Sequence, residues 1–196
     1  MNYLAHLALS PDHEATRVGN LLGDFVKGTE ENLRLQAPAD LVDGILLHRA
    51  IDKFTDQHPA FLASKKLLAP ERKRYAGVVI DLIYDHFLSI HWDSYYDQPL
   101  DDFIQQMYHI IDTNKDWQLG TLDQAFPYMK SQNWLGCYGT IEGIHLTFNR
   151  VSQRSRFTKP IADTHLDLSK HYKQFETHFH QIYRDLMQFV DNYLKR

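Results

Sequence analysis

The sequence has few of the residues that cross-link or interrupt a chain. Its 196 residues include one cysteine, nine glycines and seven prolines. The single cysteine, Cys137, cannot form a disulfide within the chain, which favours a reducing compartment and a cytoplasmic protein. No Pro/Gly/Ser-rich linker, low-complexity tract or repeat divides the chain. We therefore predict one domain over residues 1–196, large enough to fold without disulfides or a structural metal.

Long apolar runs are also missing. The longest, Tyr75 to Ile80, is far short of the roughly 20 residues that cross a bilayer. Residues 1–9 have no basic region and no long apolar core, so we expect neither a signal peptide nor a membrane partner. The net charge of −4 argues against a surface that binds nucleic acid as a whole.

Several catalytic signatures are absent as well. The sequence contains no G-x-S-x-G, Walker loop, G-x-G-x-x-G or H-E-x-x-H. Cys137 has no activating base near it in the sequence, so the sequence does not favour it as a nucleophile.

Apolar residues recur at helical spacing almost throughout, and no alternating strands are joined by a tight turn. The clearest stripe runs from Tyr172 to Tyr193 on one face of a long helix. We predict an all-α fold, a single compact domain of about eight helices. Caps and prolines place four other helices in the first half of the chain. They run from Ser10-Pro11 to near Gly28, from Pro38-Ala39-Asp40 to His58-Pro59, from there to Leu68, and from Glu71 to about Trp92. Later helices are predicted at 100–113, 121–132 and 139–153.

Some of the twelve histidines lie close to carboxylates in the sequence. His48 and Asp52 are four residues apart, so a helix presents both on one face about 6 Å apart along its axis. Asp81, Asp85 and His86 lie in a strongly apolar helix, where buried carboxylates need a partner or a cation. Asn20 and Asp24 repeat the one-turn spacing in a third helix, and His6 lies in an apolar stretch near the start of the chain.

Such imidazoles and carboxylates can bind Mn²⁺, Fe²⁺ or Zn²⁺. A bound ion of this kind activates water and polarises a phosphoryl oxygen, and Lys27 and Arg49 can then hold phosphate oxygens. Structural alternatives remain open at this stage. His48 and Asp52 can form a simple hydrogen bond on a helix face, and Arg49 can form a buried salt bridge with Asp52 or Asp85.

Positive charge is concentrated in two runs. Segment 65–74 holds five basic residues and one acidic residue, and segment 149–160 holds four basic residues and no acidic one. These runs can be solvated faces, or they can attract an acidic partner and speed its encounter. The candidate contacts in the first run are Lys65, Lys66, Arg72, Lys73 and Arg74.

Four sequence blocks together resemble the acyl carrier protein phosphodiesterases. They are MNYLAHL at 1–7, GNLLGDFVKG at 19–28, HRAIDKFTD at 48–56 and DLIYDHFL at 81–88. The resemblance implies a helical fold distantly like the HD-domain phosphohydrolases. It also implies hydrolysis of the phosphodiester that joins 4′-phosphopantetheine to a serine of holo-acyl carrier protein, with a divalent metal, Mn²⁺ being favoured.

The resemblance also implies a set of site residues. The candidates for catalysis and metal binding are Asp24, His48, Asp52, Asp85 and His86. The candidates for a supporting shell are His6, Asn20, Asp56 and Asp81. The HD superfamily is named for an adjacent His-Asp pair, whereas this chain has Asp85-His86 in reversed order, so ligands do not map by motif alone.

Two alternative functions stay open at the level of sequence. One is an HD-like phosphohydrolase that acts on a small nucleotide-type substrate. The other is a non-catalytic helical module that binds acyl carrier protein. The metal content of protein purified without chelator separates the module from the two enzymes, and the oligomeric state is left open.

Overall fold

The computed structural model describes residues 1–195, and these residues contain helices and turns but no β-strand. Eight α-helices have nine residues or more and two are shorter, which confirms the all-α prediction and its helix number. The helices are α1 (Tyr3–Ala8), α2 (Glu14–Leu22), α3 (Glu30–Arg34), α4 (Ala39–Gln57), α5 (Pro59–Leu67), α6 (Ala76–Ile90), α7 (Leu100–Thr113), α8 (Leu122–Ser131), α9 (Ile141–Ser152) and α10 (Thr164–Leu194).

Three predicted helix boundaries are wrong. Helix α2 begins after His13, whose Nδ1 accepts from the backbone N–H of Thr16, because the Ser10 hydroxyl donates to the carbonyl of His6 instead of capping a helix. The same helix ends at Leu22 and leaves residues 23–28 as a loop. The long helix predicted from Glu71 is divided into a 3-10 turn over 70–75 and helix α6. The earlier end of α2 matters for the site, since the loop carries Asp24.

Helix α6 lies at the centre of the core. Most of its apolar side chains are buried, with Val78 and Ile90 as exceptions, and it packs against α1, α5, α9 and α10. The stripe predicted on the last helix is also buried, with Phe175, Phe179, Ile182 and Leu186 at 0% exposure. Helix α10 changes direction at His171, whose φ of −120° and ψ of 22° are not helical. Within residues 1–195 no helix is both long and apolar enough to span a membrane.

Helices α2 and α4 approach each other more closely than ordinary side chains permit. A Cβ at Gly19 would lie 2.1 Å from the carbonyl oxygen of Leu41, and one at Gly44 would lie 2.2 Å from that of Thr16. The two glycines therefore let the backbones touch. This close packing places the end of α2 against the histidine of α4.

Candidate active site

Side chains from α1 and α4 converge on one carboxylate. Nε2 of His48 lies 3.1 Å from one oxygen of Asp52, and Nε2 of His6 lies 3.2 Å from the other. The two imidazole rings are stacked with their centroids 3.8 Å apart. One donor atom from each of the three residues lies within 4.8 Å of the other two, an arrangement able to hold a metal ion.

Asn20 on α2 fixes the orientation of both rings. Nδ1 of His48 lies 2.7 Å from the backbone oxygen of Asn20, and a carbonyl only accepts, so Nδ1 of His48 carries the proton. The side-chain amide of Asn20 donates from Nδ2 to Ser10, and its Oδ1 lies 2.9 Å from Nδ1 of His6. Nδ1 of His6 therefore carries a proton as well. In the neutral rings both Nε2 atoms present lone pairs to Asp52.

This geometry leaves a group of acceptors without a donor. Nε2 of His6 is buried and has no hydrogen-bond partner within the described part of the chain. Burial and the neighbouring His48 lower the pKa of His6 to about 3, so a proton does not bridge His6 to Asp52 at neutral pH. A neutral His6 directs its Nε2 lone pair at the carboxylate of Asp52, and a cation between the two removes the repulsion. The donor set fits a divalent metal ion.

The charge on Asp52 is maintained despite partial burial. Burial by itself raises the pKa of this carboxyl, but the hydrogen bonds that His48 and His6 donate when they are protonated, together with the N-terminal ammonium, outweigh that effect and hold the pKa well below its usual range. The ammonium of Met1 lies 3.8 Å from Asp52 and 2.8 Å from Asp81. Burial lowers the pKa of this amine, but Asp81 and Asp52 raise it above its usual value. Asp81 therefore acts on the cluster through the ammonium.

Asp24 connects the cluster to an open groove. One of its oxygens lies 3.9 Å from Nε2 of His48, and its side chain is 41% exposed. Burial of the remainder raises the pKa of this carboxyl. Asp24 lines the groove together with Tyr3, Phe25 and Arg154. A molecule in this groove reaches the cluster from the side of Asp24.

Comparison with known proteins identifies the family of the chain. Residues 1–186 match a family model described as acyl carrier protein phosphodiesterase. The chain belongs to the acyl carrier protein phosphodiesterase family. Proteins of that name are 32% identical in Klebsiella pneumoniae (98% of each chain covered), 34% in an Enterobacter species (95% of this chain, 96% of the relative) and 34% in Escherichia coli (95% and 96%). No solved structure matches the chain, so the HD-like fold stays a prediction.

Two of the predicted ligands in this family member have other partners. The buried carboxylate of Asp85 accepts from the backbone N–H groups of Leu4 at 2.8 Å and of Asn2 and Ala5 at 3.3 Å, and so caps α1. Burial raises the pKa of Asp85 to about 7, although these hydrogen bonds oppose the shift.

Both ring nitrogens of His86 have hydrogen-bond partners. Its Nδ1 lies 2.7 Å from the carbonyl oxygen of Tyr138, and its Nε2 lies 3.2 Å from the hydroxyl of Tyr172. Adjacent residues on a helix point in different directions, so Asp85 and His86 do not share a face. The structure thus groups His6 with the cluster and leaves His86 outside it.

The predicted phosphate-binding residues lie in or beside the loop over 23–28. Lys27 is exposed on this loop. Arg49 donates to the carbonyl of Gly28 at 2.9 Å and ties the loop to α4. No ion pair joins Arg49 to Asp52 or Asp85 within residues 1–195. The loop that carries Asp24 is therefore fixed at its far end.

Arg72, a predicted substrate contact, and Asp56, a predicted member of the supporting shell, both have structural partners. Arg72 is 7% exposed and its guanidinium pairs with the buried carboxylate of Asp167, so its assignment to an exposed substrate contact is wrong. The charge of Asp167 needs a buried partner, and Arg72 supplies it. Asp56 pairs with Lys65 at 3.1 Å, which explains Asp56 without a role in the supporting shell.

The two basic runs meet on the surface. The hydroxyl of Tyr75 donates to the carbonyl of Phe157, and the guanidinium of Arg74 lies 5.8 Å from the ring centroid of Phe157. Arg156 lies 4.7 Å from the same ring, which is 55% exposed. We use the name basic face for Arg74 and Arg156, which lie beside Phe157, together with Lys73, Arg150 and Arg154 from the same two runs. Lys66, from the first run, is also exposed.

A second group of possible metal ligands lies between the end of α6 and helix α10. Nε2 of His91 lies 2.7 Å from a carboxylate oxygen of Glu176, and His180 completes the group. Nδ1 of His180 also lies 2.7 Å from the hydroxyl of Tyr95. Metal-binding experiments on this family member therefore need a variant at each group.

Sequence reasoning missed the central position of His6 and the three glycines that shape the site. Gly19 and Gly44 bring α2 against α4, and Gly23 leaves room for the imidazole of His48. The four-residue spacing of Gly19 and Gly23, on either side of Asn20, was a signal in the sequence for this close packing. Small residues one turn apart on a helix permit close packing against a neighbouring helix.

Proposed function

We propose that this protein is a divalent-metal-dependent hydrolase that removes 4′-phosphopantetheine from holo-acyl carrier protein in the cytoplasm, with Mn²⁺ as the ion. The observation that carries the proposal is the convergence of the Nε2 atoms of His6 and His48 on Asp52, next to Asp24 in an open groove. Family membership supports the substrate class.

The ligands in this proposal are His6, His48 and Asp52, with Asp24 on the side of the groove. Two nitrogen and two carboxylate donors suit Mn²⁺ and do not require a thiolate. When bound there, the ion supplies a Lewis acid that lowers the pKa of water and polarises a phosphoryl oxygen. Asn20 holds both imidazoles in the tautomer that offers Nε2 to a metal.

The reaction consumes one water molecule. The water oxygen forms a new bond to phosphorus, and the bond between phosphorus and the serine oxygen of the carrier breaks. The serine oxygen takes up a proton, so the products are apo-carrier and free 4′-phosphopantetheine. In this protein Asp24 faces the groove in which the reaction takes place, and the guanidinium of Arg154 at the groove offsets the negative charge of the phosphate.

The basic face supports a protein substrate over a small molecule. Acyl carrier proteins are strongly acidic, and exposed arginines steer an acidic partner toward the groove that Arg154 borders. A binding site for a nucleotide needs fewer positive charges, and these charges cover a smaller surface. The basic face thus favours the carrier protein as substrate.

The test is incubation of purified protein with holo-acyl carrier protein and Mn²⁺, followed by mass spectrometry of the carrier. We expect loss of the phosphopantetheine mass, and we expect His6→Gln and Asp52→Asn to lower turnover by more than about 100-fold, since loss of a ligand costs more than loss of a supporting contact.

Two control variants accompany this test. His180→Ala disrupts the second group of possible ligands, and Cys137→Ala removes the only thiol, so both should keep normal turnover. An intact carrier mass with the parent protein contradicts the proposal. Hydrolysis of a nucleotide in place of the carrier supports the small-molecule alternative, and carrier binding without bound metal supports the binding module.

A further inference from the structure

A pocket of about 260 Å³ lies beside the candidate active site. We call it the side pocket. Its apolar walls come from Val78 and Leu82 on α6 and from Val151 on α9. Its size and concave shape suit a narrow organic chain, and the residues assigned to the reaction do not fill it.

The side pocket adjoins the groove that contains Asp24. Tyr3, Trp134 and Arg154 line both of them. The ring of Phe25 stacks on that of Tyr3 at 5.6 Å, and the ring of Tyr3 stacks on that of Trp134 at 6.3 Å. An aromatic row therefore leads from the residue next to Asp24 into the side pocket.

The polar groups of the side pocket define what it can bind. The side-chain oxygen of Gln132 accepts from the indole of Trp134, which leaves the NH₂ of Gln132 free to donate. The hydroxyl of Thr147 donates to the carbonyl of Gly143 and keeps its lone pairs for a donor. A ligand with amide groups satisfies both residues, whereas an alkyl chain leaves them unpaired.

Two arginines supply positive charge along the path that leads from the groove into the side pocket. Arg154 is exposed where groove and side pocket join, and no carboxylate forms an ion pair with it in residues 1–195. Arg150 also lines the side pocket, and its guanidinium donates to the sulfur of Cys137 at 3.5 Å. The path therefore suits a ligand that carries an anion near Asp24 and continues as an apolar chain with amides.

We propose that the side pocket binds the pantetheine arm of holo-acyl carrier protein, with the phosphate near Asp24 and Arg154 and the thiol end between Val78 and Val151. The arm has two amides and a dimethyl-substituted carbon, which match the amide of Gln132, the hydroxyl of Thr147 and the apolar walls. This inference rests on the proposed function and adds to it the residues that recognise the arm.

The first experiment measures binding of 4′-phosphopantetheine and of pantetheine to the metal-free protein by calorimetry. Val78 is 48% exposed, so Val78→Trp fills the pocket from its rim without disturbing the core. We expect this variant to weaken both ligands by at least about tenfold. Leu166→Trp, at a residue 57% exposed on α10, is the matched control and should bind both ligands like the parent.

The second experiment separates recognition of the phosphate from recognition of the arm. Arg154→Ala should weaken 4′-phosphopantetheine and leave pantetheine unchanged, because pantetheine has no phosphate. Lys170→Ala removes one exposed charge on α10 and serves as the charge control. For hydrolysis of holo-carrier, Val78→Trp should raise KM more than it lowers kcat.

The outcomes separate this inference from the proposed function. Parent-like binding by Val78→Trp, absence of saturable 4′-phosphopantetheine binding, or competition by octanoate but not by pantetheine overturns the inference. Normal hydrolysis of holo-carrier with an unchanged KM in Val78→Trp overturns the inference and leaves the function intact. Expected binding without any hydrolysis overturns the function and leaves the side pocket as a pantetheine site.

Discussion

Replacement of Gly23 by alanine tests the geometry of the site with one methyl group. Gly23 follows α2 with φ −52° and ψ −32°, so the backbone accepts alanine without strain. The new Cβ would lie 2.1 Å from Cγ and 2.3 Å from Cδ2 of His48. Non-bonded carbons prefer roughly 3.5–4.0 Å, so the imidazole must retreat by about 1.5 Å.

The consequences of this displacement follow from the contacts of His48. Its Nδ1 lies 2.7 Å from the carbonyl oxygen of Asn20 and its Nε2 lies 3.1 Å from Asp52, and a ring shifted that far cannot keep both. We expect affinity for Mn²⁺ to fall by about 10–100-fold. Overpacking should also lower the free energy of unfolding by about 1–3 kcal/mol, which corresponds to a fall in Tm of roughly 2–12 °C at this chain length.

Calorimetric titration with Mn²⁺ and thermal unfolding monitored by circular dichroism measure the two effects. Gly77→Ala is the matched control, because nothing lies within 4 Å of a Cβ at Gly77, which lies in helix α6. This control should leave Mn²⁺ affinity unchanged and alter stability by no more than about 1 kcal/mol. A folded Gly23→Ala protein that binds Mn²⁺ as tightly as the parent refutes the assignment of His48 as a ligand.

Three other changes test the interior and the surface. Asp167→Asn leaves Arg72 without its buried partner and should lower the free energy of unfolding by about 3–5 kcal/mol in chemical denaturation without changing KM; a parent-like midpoint contradicts the buried pair. In metal-free protein, the free energy of unfolding should fall as pH drops from about 6.5 toward 3, because His6 takes up a proton in the unfolded state but not when folded with its pKa near 3. His6→Gln should reduce that slope by at most about 1.4 kcal/mol per pH unit, and equal slopes for parent and variant argue against a neutral buried His6. Charge reversal by Lys73→Glu with Arg74→Glu should raise KM for the acidic carrier and weaken the salt dependence of KM, whereas a lower kcat at constant KM disproves a docking role.

The parts of the molecule that depend on local geometry were predictable from the sequence. Helical spacing of apolar residues identified the buried stripe of α10, and the i,i+4 spacing of His48 and Asp52 placed both side chains on one face of α4. Such spacings follow from the 3.6-residue turn of the helix and need no knowledge of the neighbours. The sequence blocks that include these residues also identified the family.

The tertiary structure decided which of the predicted polar residues meet. Asp85 and His86 lie in the expected helix, but packing against α1 and against Tyr138 and Tyr172 gives them other partners. Arg72 lies in a basic run yet is buried with Asp167. Spacing along one helix does not specify what packs against each of its faces, so the partners of these side chains were not predictable.

The central position of His6 was not predictable for the same reason. An apolar neighbourhood in the sequence predicts burial for this histidine but not the identity of its neighbours. The glycines of α2 and α4 let Asn20 approach closely enough to orient the imidazoles of both His6 and His48. The sequence alone thus determined the helices, the family and one pair of candidate ligands. Only the packing of α1, α2 and α4 completed the site, because its other members are distant in the chain and meet through close contact between helices.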